Sequence, residues 1–209
     1  MKNAKFTVQS PNAGKEVLKV ADLTFKEDTH SYFLEDLPIP SVSEIIRPLH
    51  QKIYGNIDKD TLERAAERGT RVHRAIEFLS KYNLCSIDDD ISGYISAYKK
   101  FRSHYKDWRL LRSEFKAYHK FLLYGMTADQ IYETPEGLII CDIKTTKIAH
   151  PVAWSVQLSA YKAGYESQYG KISKIVALQL FDNGKYILHE LKDNFSIFLS
   201  CLEIYKFGV

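Results

Sequence analysis

An α/β fold is what this sequence predicts: a central mixed β-sheet of four or five strands flanked by helices, with a small N-terminal β/α extension. Three observations carry the prediction. Residues 108–120, 121–133 and 138–145 have strand character, and the last, LIICDIKT, is the most apolar and so belongs at the centre. Residues 172–181 and 185–191 flank Asp182-Asn183-Gly184, a strong hairpin turn. Helical periodicity runs through 60–83, 87–106, 151–169 and 193–207. Residues 1–50 read as an extension packed on the core and 51–209 as the main domain, one globular unit in all. The chain has 209 residues, 45% hydrophobic and 26% charged, which is enough for a sizeable core.

In order, Phe6–Gln9, Val17–Phe25 and Tyr32–Leu34 carry strand-type residues broken by turns. Ser41 followed by Glu44 is a capping-box pattern, and Pro48 is expected to end that short helix, with 51–59 a loop. No chemistry is visible there; His30, Tyr32 and the SVSEII segment read as a lid or packing flap. On the 60–83 helix, Leu62, Ala66, Gly69, His73, Ile76 and Ser80 share one side, so His73 faces inward, one turn after a glycine that would admit another backbone. Arg64, Arg68 and Arg71 form a solvated stripe opposite. Asp88, Asp89 and Asp90 open the next helix, as its dipole favours. Pro151 suits the first turn of the following one, and Asp193 caps the last.

Between 98 and 120, Lys99, Lys100, Arg102, His104, Lys106, Arg109, Arg112, Lys116 and Lys120 alternate with Tyr98, Phe101, Tyr105, Trp108 and Phe115. Two readings stay open. Phosphate attraction plus base stacking would make a single-stranded nucleic-acid track; an ordinary helix and hairpin with solvated charges would look the same. The net charge of +3 permits nucleic acid as a partner without requiring it.

The chemistry-bearing stretch is Gly125–Tyr161. Alternation puts Asp142 and Lys144 on one face of a strand, with Ile143 on the other. Three successive antiparallel strands would bring Glu114, Asp129 and Asp142 to neighbouring positions. Gln157 and Tyr161 lie one helical turn apart. Phosphodiester hydrolysis needs carboxylates to hold a hard cation and a cationic group near the attacking water, and this set supplies both. Cys85, Cys141 and Cys201 have no metal-site spacing and cannot all pair, which argues for a reducing compartment. With no signal peptide and no run of about 18 apolar residues, the expectation is a cytoplasmic protein without a membrane partner. No phosphate-binding loop is present, so no ATP-driven motor is expected.

Four blocks, GTRVH at 69–73, GMTADQI at 125–131, CDIKTT at 141–146 and QLSAY at 157–161, together resemble the RecB-like branch of the PD-(D/E)XK nuclease superfamily, which includes phage-type and recombination exonucleases. The resemblance covers about residues 60–180, and the upstream HSYF and IPSVSEII are similar to the opening of phage-type members. It implies a restriction-endonuclease-like core and a metal-dependent deoxyribonuclease, most readily an exonuclease in recombination, repair or phage DNA processing, in a bacterial or phage-infected cell. It implies that His73, Asp129, Asp142 and the Ile143 backbone carbonyl hold Mg²⁺ or Mn²⁺, that Lys144 positions and polarises the water, that Gln157 orients Lys144 or the scissile phosphate, and that Tyr161 contacts the DNA backbone. Glu114 matches an acidic position that supports the metal through water. Ala128 stands where the family name implies proline. Cysteines arranged for an iron–sulfur cluster are missing, so none is expected. The resemblance also admits a homo-oligomer or a recombination-protein partner on single- or double-stranded DNA. A catalytically inactive nucleic-acid-binding module of the same fold and a structure-specific or sequence-recognising endonuclease are the alternatives.

Overall fold

The structure is a computed structural model, and it describes residues 23–83 and 88–208. The expected strand Phe6–Gln9, most of Val17–Phe25 and Cys85 lie outside the described residues. The chain folds as α/β. A five-stranded sheet is formed by β4 (Arg109–Tyr118), β5 (Gly125–Thr134), β6 (Gly137–Lys144), β7 (Lys174–Leu180) and β8 (Tyr186–Leu191), in that spatial order. The apolar strand is central, as its composition requires. All neighbours are antiparallel except β6 and β7, which run parallel because the helix α5 (Pro151–Glu166) carries the chain across between them.

Ahead of this sheet lie β1 (Leu23–Lys26), β2 (Ser31–Leu34) and β3 (Leu37–Ile39), an antiparallel three-stranded sheet. The capping box at Ser41 forms: Glu44 N–H donates to Ser41 Oγ at 3.1 Å, and Ser41 N–H donates to the Glu44 carboxylate at 2.7 Å. It starts α1 (Val42–Ile45). Pro48 does not end the helical segment. It sits in the first turn of α2 (Arg47–Tyr54), where no intrahelical N–H is needed, so 51–54 are helical rather than loop.

The helix α3 (Lys59–Tyr82) is bounded by two local signals. Asp58 accepts from Thr61 N–H at 2.9 Å, and Asn83 takes a left-handed φ of 54°. Arg71 pairs with Asp88 and Asp90, so those acids tie the next segment to α3 as well as preceding α4 (Ser92–His104). Arg68 stacks over Tyr94, so the arginine stripe is partly engaged and not simply solvated.

Helices cover both faces of the large sheet. On one face Val72 and Ile76 of α3 and Tyr94, Ile95, Tyr98 and Phe101 of α4 pack on Tyr132, Ile139, Cys141 and Val176. On the other, α1, α5 and α6 (Phe195–Phe207) pack on Met126, Ala128, Ile140 and Ile175. The cap of α6 is Asn194 and not the expected Asp193, which stands one residue earlier and accepts from Phe195 N–H at 3.1 Å. The aromatics of α4 are therefore core: the 3.6-residue period turns them to the sheet and leaves the basic residues outside. Among the described residues, no helix is long and apolar enough to cross a membrane.

The small sheet docks on the large one around Gly125. Gly125 N–H donates to Pro40 O at 2.8 Å, and the Tyr32 ring lies on Gly125. A Cβ at Gly125 would fall 2.2 Å from Tyr32 Cγ, so only glycine fits there. Gly125, inside the stretch 121–133 expected as a strand, is the first residue of β5, at the seam between the sheets.

Candidate active site

A cleft of about 870 Å³ opens at that seam. Its floor is the end of β6 and the middle of β5, its walls α3 and the small sheet, and its back is α5. His73, Glu114, Asp129, Asp142, Ile143, Lys144, Gln157 and Tyr161 all line it. The sequence-predicted set is thus brought together from five elements.

Register explains the meeting. Gln130 pairs with Cys141, so Asp129 and Asp142, one step further, lie side by side on β5 and β6. On β4 the register slips by one residue between Leu110 and Arg112, and beyond it Ser113 pairs with Gln130 and Phe115 with Ala128. Glu114 then sits beside Asp129 with φ at 51°, a conformation costly for any side chain but glycine, asparagine or aspartate. One inward-facing atom each from His73, Glu114 and Asp129 lie within 4.8 Å of one another.

Two hydrogen-bonded sets share the cleft. In the first, His73 Nδ1 faces Asp129 Oδ2 at 3.4 Å, and its Nε2 lies 3.0 Å from the Ile143 carbonyl. Asp129 Oδ2 also accepts from Ile143 N–H at 2.6 Å. In the second, Lys144 Nζ lies 2.6 Å from Asp142 Oδ2 and donates to Gln157 Oε1 at 2.9 Å; Gln157 Nε2 donates to Tyr161 OH at 2.8 Å. Asp142 is thus paired with Lys144, while Glu114 joins His73 and Asp129. The pairing of Asp142 with Lys144 follows from the two projecting from the same face of β6, two residues apart.

The proton affinities follow the packing. Burial works against a charged His73, but the carboxylates of Asp129, Asp142 and Glu114 outweigh it and raise the imidazole to about 9. Burial, and then Asp129, push Glu114 up to about 7 and Asp142 up to about 6. Asp129 is held below the usual carboxylate range: His73, the Ile143 N–H and Lys144 together overcome its burial. Carboxylates crowded so closely hold protons until a cation of higher charge replaces them. One imidazole nitrogen, two to three carboxylates and a backbone carbonyl form an oxygen-rich donor set that fits Mg²⁺ or Mn²⁺.

Other expected residues fall elsewhere. Lys99, Lys100, Arg102, Arg109 and Arg112 do not line the cleft. Lys100 donates to Gly184 O at 2.9 Å, Arg102 donates to Trp108 O at 2.7 Å and lies over Tyr132, and Arg109 pairs with Glu133. Tyr98 and Phe101 are buried, so the supposed stacking track has no free rings at its centre. Lys116 alone of that basic stretch reaches the cleft, beside Phe25 at 5.0 Å. The close backbone approach expected at Gly69 is not formed; a Cβ there would make an ordinary 3.6 Å contact with Thr145 Oγ1.

Sequence reasoning missed Thr127, whose Oγ1 is 2.6 Å from Tyr32 OH, and Arg74 and Phe78 on the α3 wall. Thr127 carried a signal, since alternation puts it on the face of Asp129. Arg74 follows His73 directly. Tyr32 as wall residue depends on the docking of two sheets, which no local pattern encodes.

No family model matches the chain, and no curated protein matches it. Among solved structures, SSO0001 is similar over 65% of this chain and 71% of that one, at 14% identity and a TM-score of 0.34, a likeness too slight to bear on function.

Proposed function

We propose that this protein is a Mg²⁺- or Mn²⁺-dependent deoxyribonuclease, acting as an exonuclease on DNA in recombination, repair or phage DNA processing. The observation that supports it best is one cleft holding a His73–Glu114–Asp129 group beside a Lys144 ammonium fixed between Asp142 and Gln157. His73, Asp129 and Glu114 would hold the cation, with Asp142 and the Ile143 carbonyl completing its shell. When bound, the cation supplies positive charge at the phosphate and lowers the proton affinity of water.

The chain's own groups do the rest. Lys144 donates to a non-bridging phosphate oxygen and balances charge that grows there as the attacking oxygen approaches. Gln157 accepts from Lys144 and donates to Tyr161, so the ammonium is aimed and not free to swing. Because Tyr161 accepts from Gln157, its own O–H remains to donate to a backbone phosphate. Arg74 of α3 and Lys116 of β4 offer further positive charge to the strand. A homo-oligomer or a recombination protein would be an additional partner. The setting would be the cytoplasm, in keeping with Cys141 and Cys201 being free thiols.

The test is degradation of end-labelled single- and double-stranded DNA with Mg²⁺, Mn²⁺ or EDTA, beside Lys144→Ala. Metal-dependent loss of label that the variant lacks is the expected result. No cleavage with any metal would favour the inactive binding module, and equal cleavage of closed circles would favour an endonuclease.

A further inference from the structure

Behind Lys144, on the same face of the sheet, a buried amide joins three segments. Gln179 of β7 is the parallel-register neighbour of Lys144 and is 2% exposed. Its Nε2 donates to Thr146 O at 2.8 Å, with Lys147 O at 3.4 Å. Its Oε1 lies 2.9 Å from His189 Nε2 of β8. The His189 ring stands edge-on to Trp154 of α5, with centroids 5.4 Å apart. A side-chain amide has one acceptor and one donor end. With the donor end committed to carbonyls, the oxygen must accept, and His189 must donate its Nε2–H.

These contacts bracket the reacting centre. Thr146 lies two residues after Lys144, and Trp154 lies one turn before Gln157. The segment between them, residues 145–150, is what links the two partners of the Lys144–Gln157 hydrogen bond. We propose that Gln179, assisted by His189, is a positioning residue of the reaction: it clamps this segment so that Lys144 and Gln157 meet in the cleft. The inference rests on the nuclease reading given above. Misplacing a reacting group by about 1 Å can cost on the order of 10²-fold in rate, and neither Gln179 nor His189 lines the cleft.

The experiment compares wild type, Gln179→Leu, Gln179→Glu and His189→Phe. Steady-state cleavage of end-labelled DNA, Mn²⁺ binding by calorimetry, and amide hydrogen exchange over residues 145–150 are measured on each. Gln179→Leu is expected to lower kcat by roughly 10- to 100-fold, with KM and Mn²⁺ affinity within about twofold of wild type. Gln179→Glu keeps the shape and the acceptor but cannot donate to Thr146 when ionised, so it should behave like Gln179→Leu. His189→Phe, which keeps a ring on Trp154, should lose less. Exchange at 145–150 should rise in both Gln179 variants while α3 and β5 stay protected. Unchanged kcat in a folded Gln179→Leu would overturn the proposal. So would a parallel fall in kcat, Mn²⁺ affinity and protection of α3, which marks a general loss of fold. If the wild type cleaves nothing, the nuclease reading fails by itself; exchange at 145–150 in Gln179→Leu then decides whether the clamp exists, and unaltered protection there would overturn it.

Discussion

Asp129 and Gln130 are neighbours on β5 that point to opposite faces, and their surroundings differ in kind. Gln130 is fully buried and its hydrogen bonds are made: Nε2 donates to Tyr98 OH at 2.7 Å and to Ser80 Oγ at 3.3 Å, and Oε1 accepts from Tyr132 at 2.6 Å. The set is neutral and ties α3 and α4 to the sheet. Asp129 sits among an imidazole, two further carboxylates and an ammonium, and three of these groups have their proton affinities displaced upward. A satisfied neutral network fixes a fold. Crowded buried carboxylates destabilise one, and displaced proton affinities of this kind cluster at functional sites. That contrast separates framework from site within two consecutive residues.

The largest expected effect breaks the charged side. Lys144→Ala should lower kcat by about 10²–10³-fold, the loss of one well-placed donor to developing negative charge, while Mn²⁺ binding persists. Quenched-flow or gel assays paired with calorimetry would check it; loss of both together would mean that Lys144 is structural.

The pH response comes next. His73, Glu114 and Asp142 are all raised, so the folded state holds more protons than the unfolded one. Their contributions to stability are complete below the unfolded values and disappear as pH rises through about 6 for Asp142, about 7 for Glu114 and about 9 for His73. Asp129, lowered, acts in the opposite sense, below pH 4. A cation must displace those protons. Its affinity should therefore rise with pH from 5 to 9, by about tenfold per unit for each proton displaced. The thermal shift given by Mn²⁺ should grow over the same interval, and a flat profile would place the cation elsewhere.

Gln130→Leu tests the neutral side. It leaves Tyr98 and Tyr132 hydroxyls without their buried partner and should destabilise by about 1–3 kcal/mol in urea melts. Cation affinity of the folded fraction should be little changed. The smallest effect sharpens the contrast. Glu114→Gly removes a strained φ and one crowding carboxylate, so the cation-free protein should become more stable, by up to about 1 kcal/mol, while binding Mn²⁺ more weakly. Thermal melts with and without Mn²⁺ would show whether the two changes oppose each other.

How much of this was legible follows from the range of each signal. Asp142 with Lys144, and Gln157 with Tyr161, are set by strand and helix periods alone, and the structure puts both pairs in the cleft. A mixed sheet of four or five strands followed from the strand patterns, the apolar run at 138–145 and the turn at Asp182-Asn183-Gly184, and five strands form it. The close grouping of Glu114 with His73 and Asp129 was not legible in its detail, because the face Glu114 shows depends on the slip after Leu110 and on a left-handed backbone. Tyr32 read only as part of a lid or packing flap; that it faces the cleft depends on docking of the small sheet, which needs Gly125 to have no side chain. Of the two readings left open for the basic and aromatic stretch, composition alone could not choose; the helix period sends Tyr98 and Phe101 into the core.

The most direct test of the central claim is a Mn²⁺ titration followed by electron paramagnetic resonance, on wild type and on Asp129→Asn. Wild type is expected to remove the free-ion signal at neutral pH, and Asp129→Asn, still folded, to do so far less. Equal binding by both proteins, or none by the wild type, would contradict it.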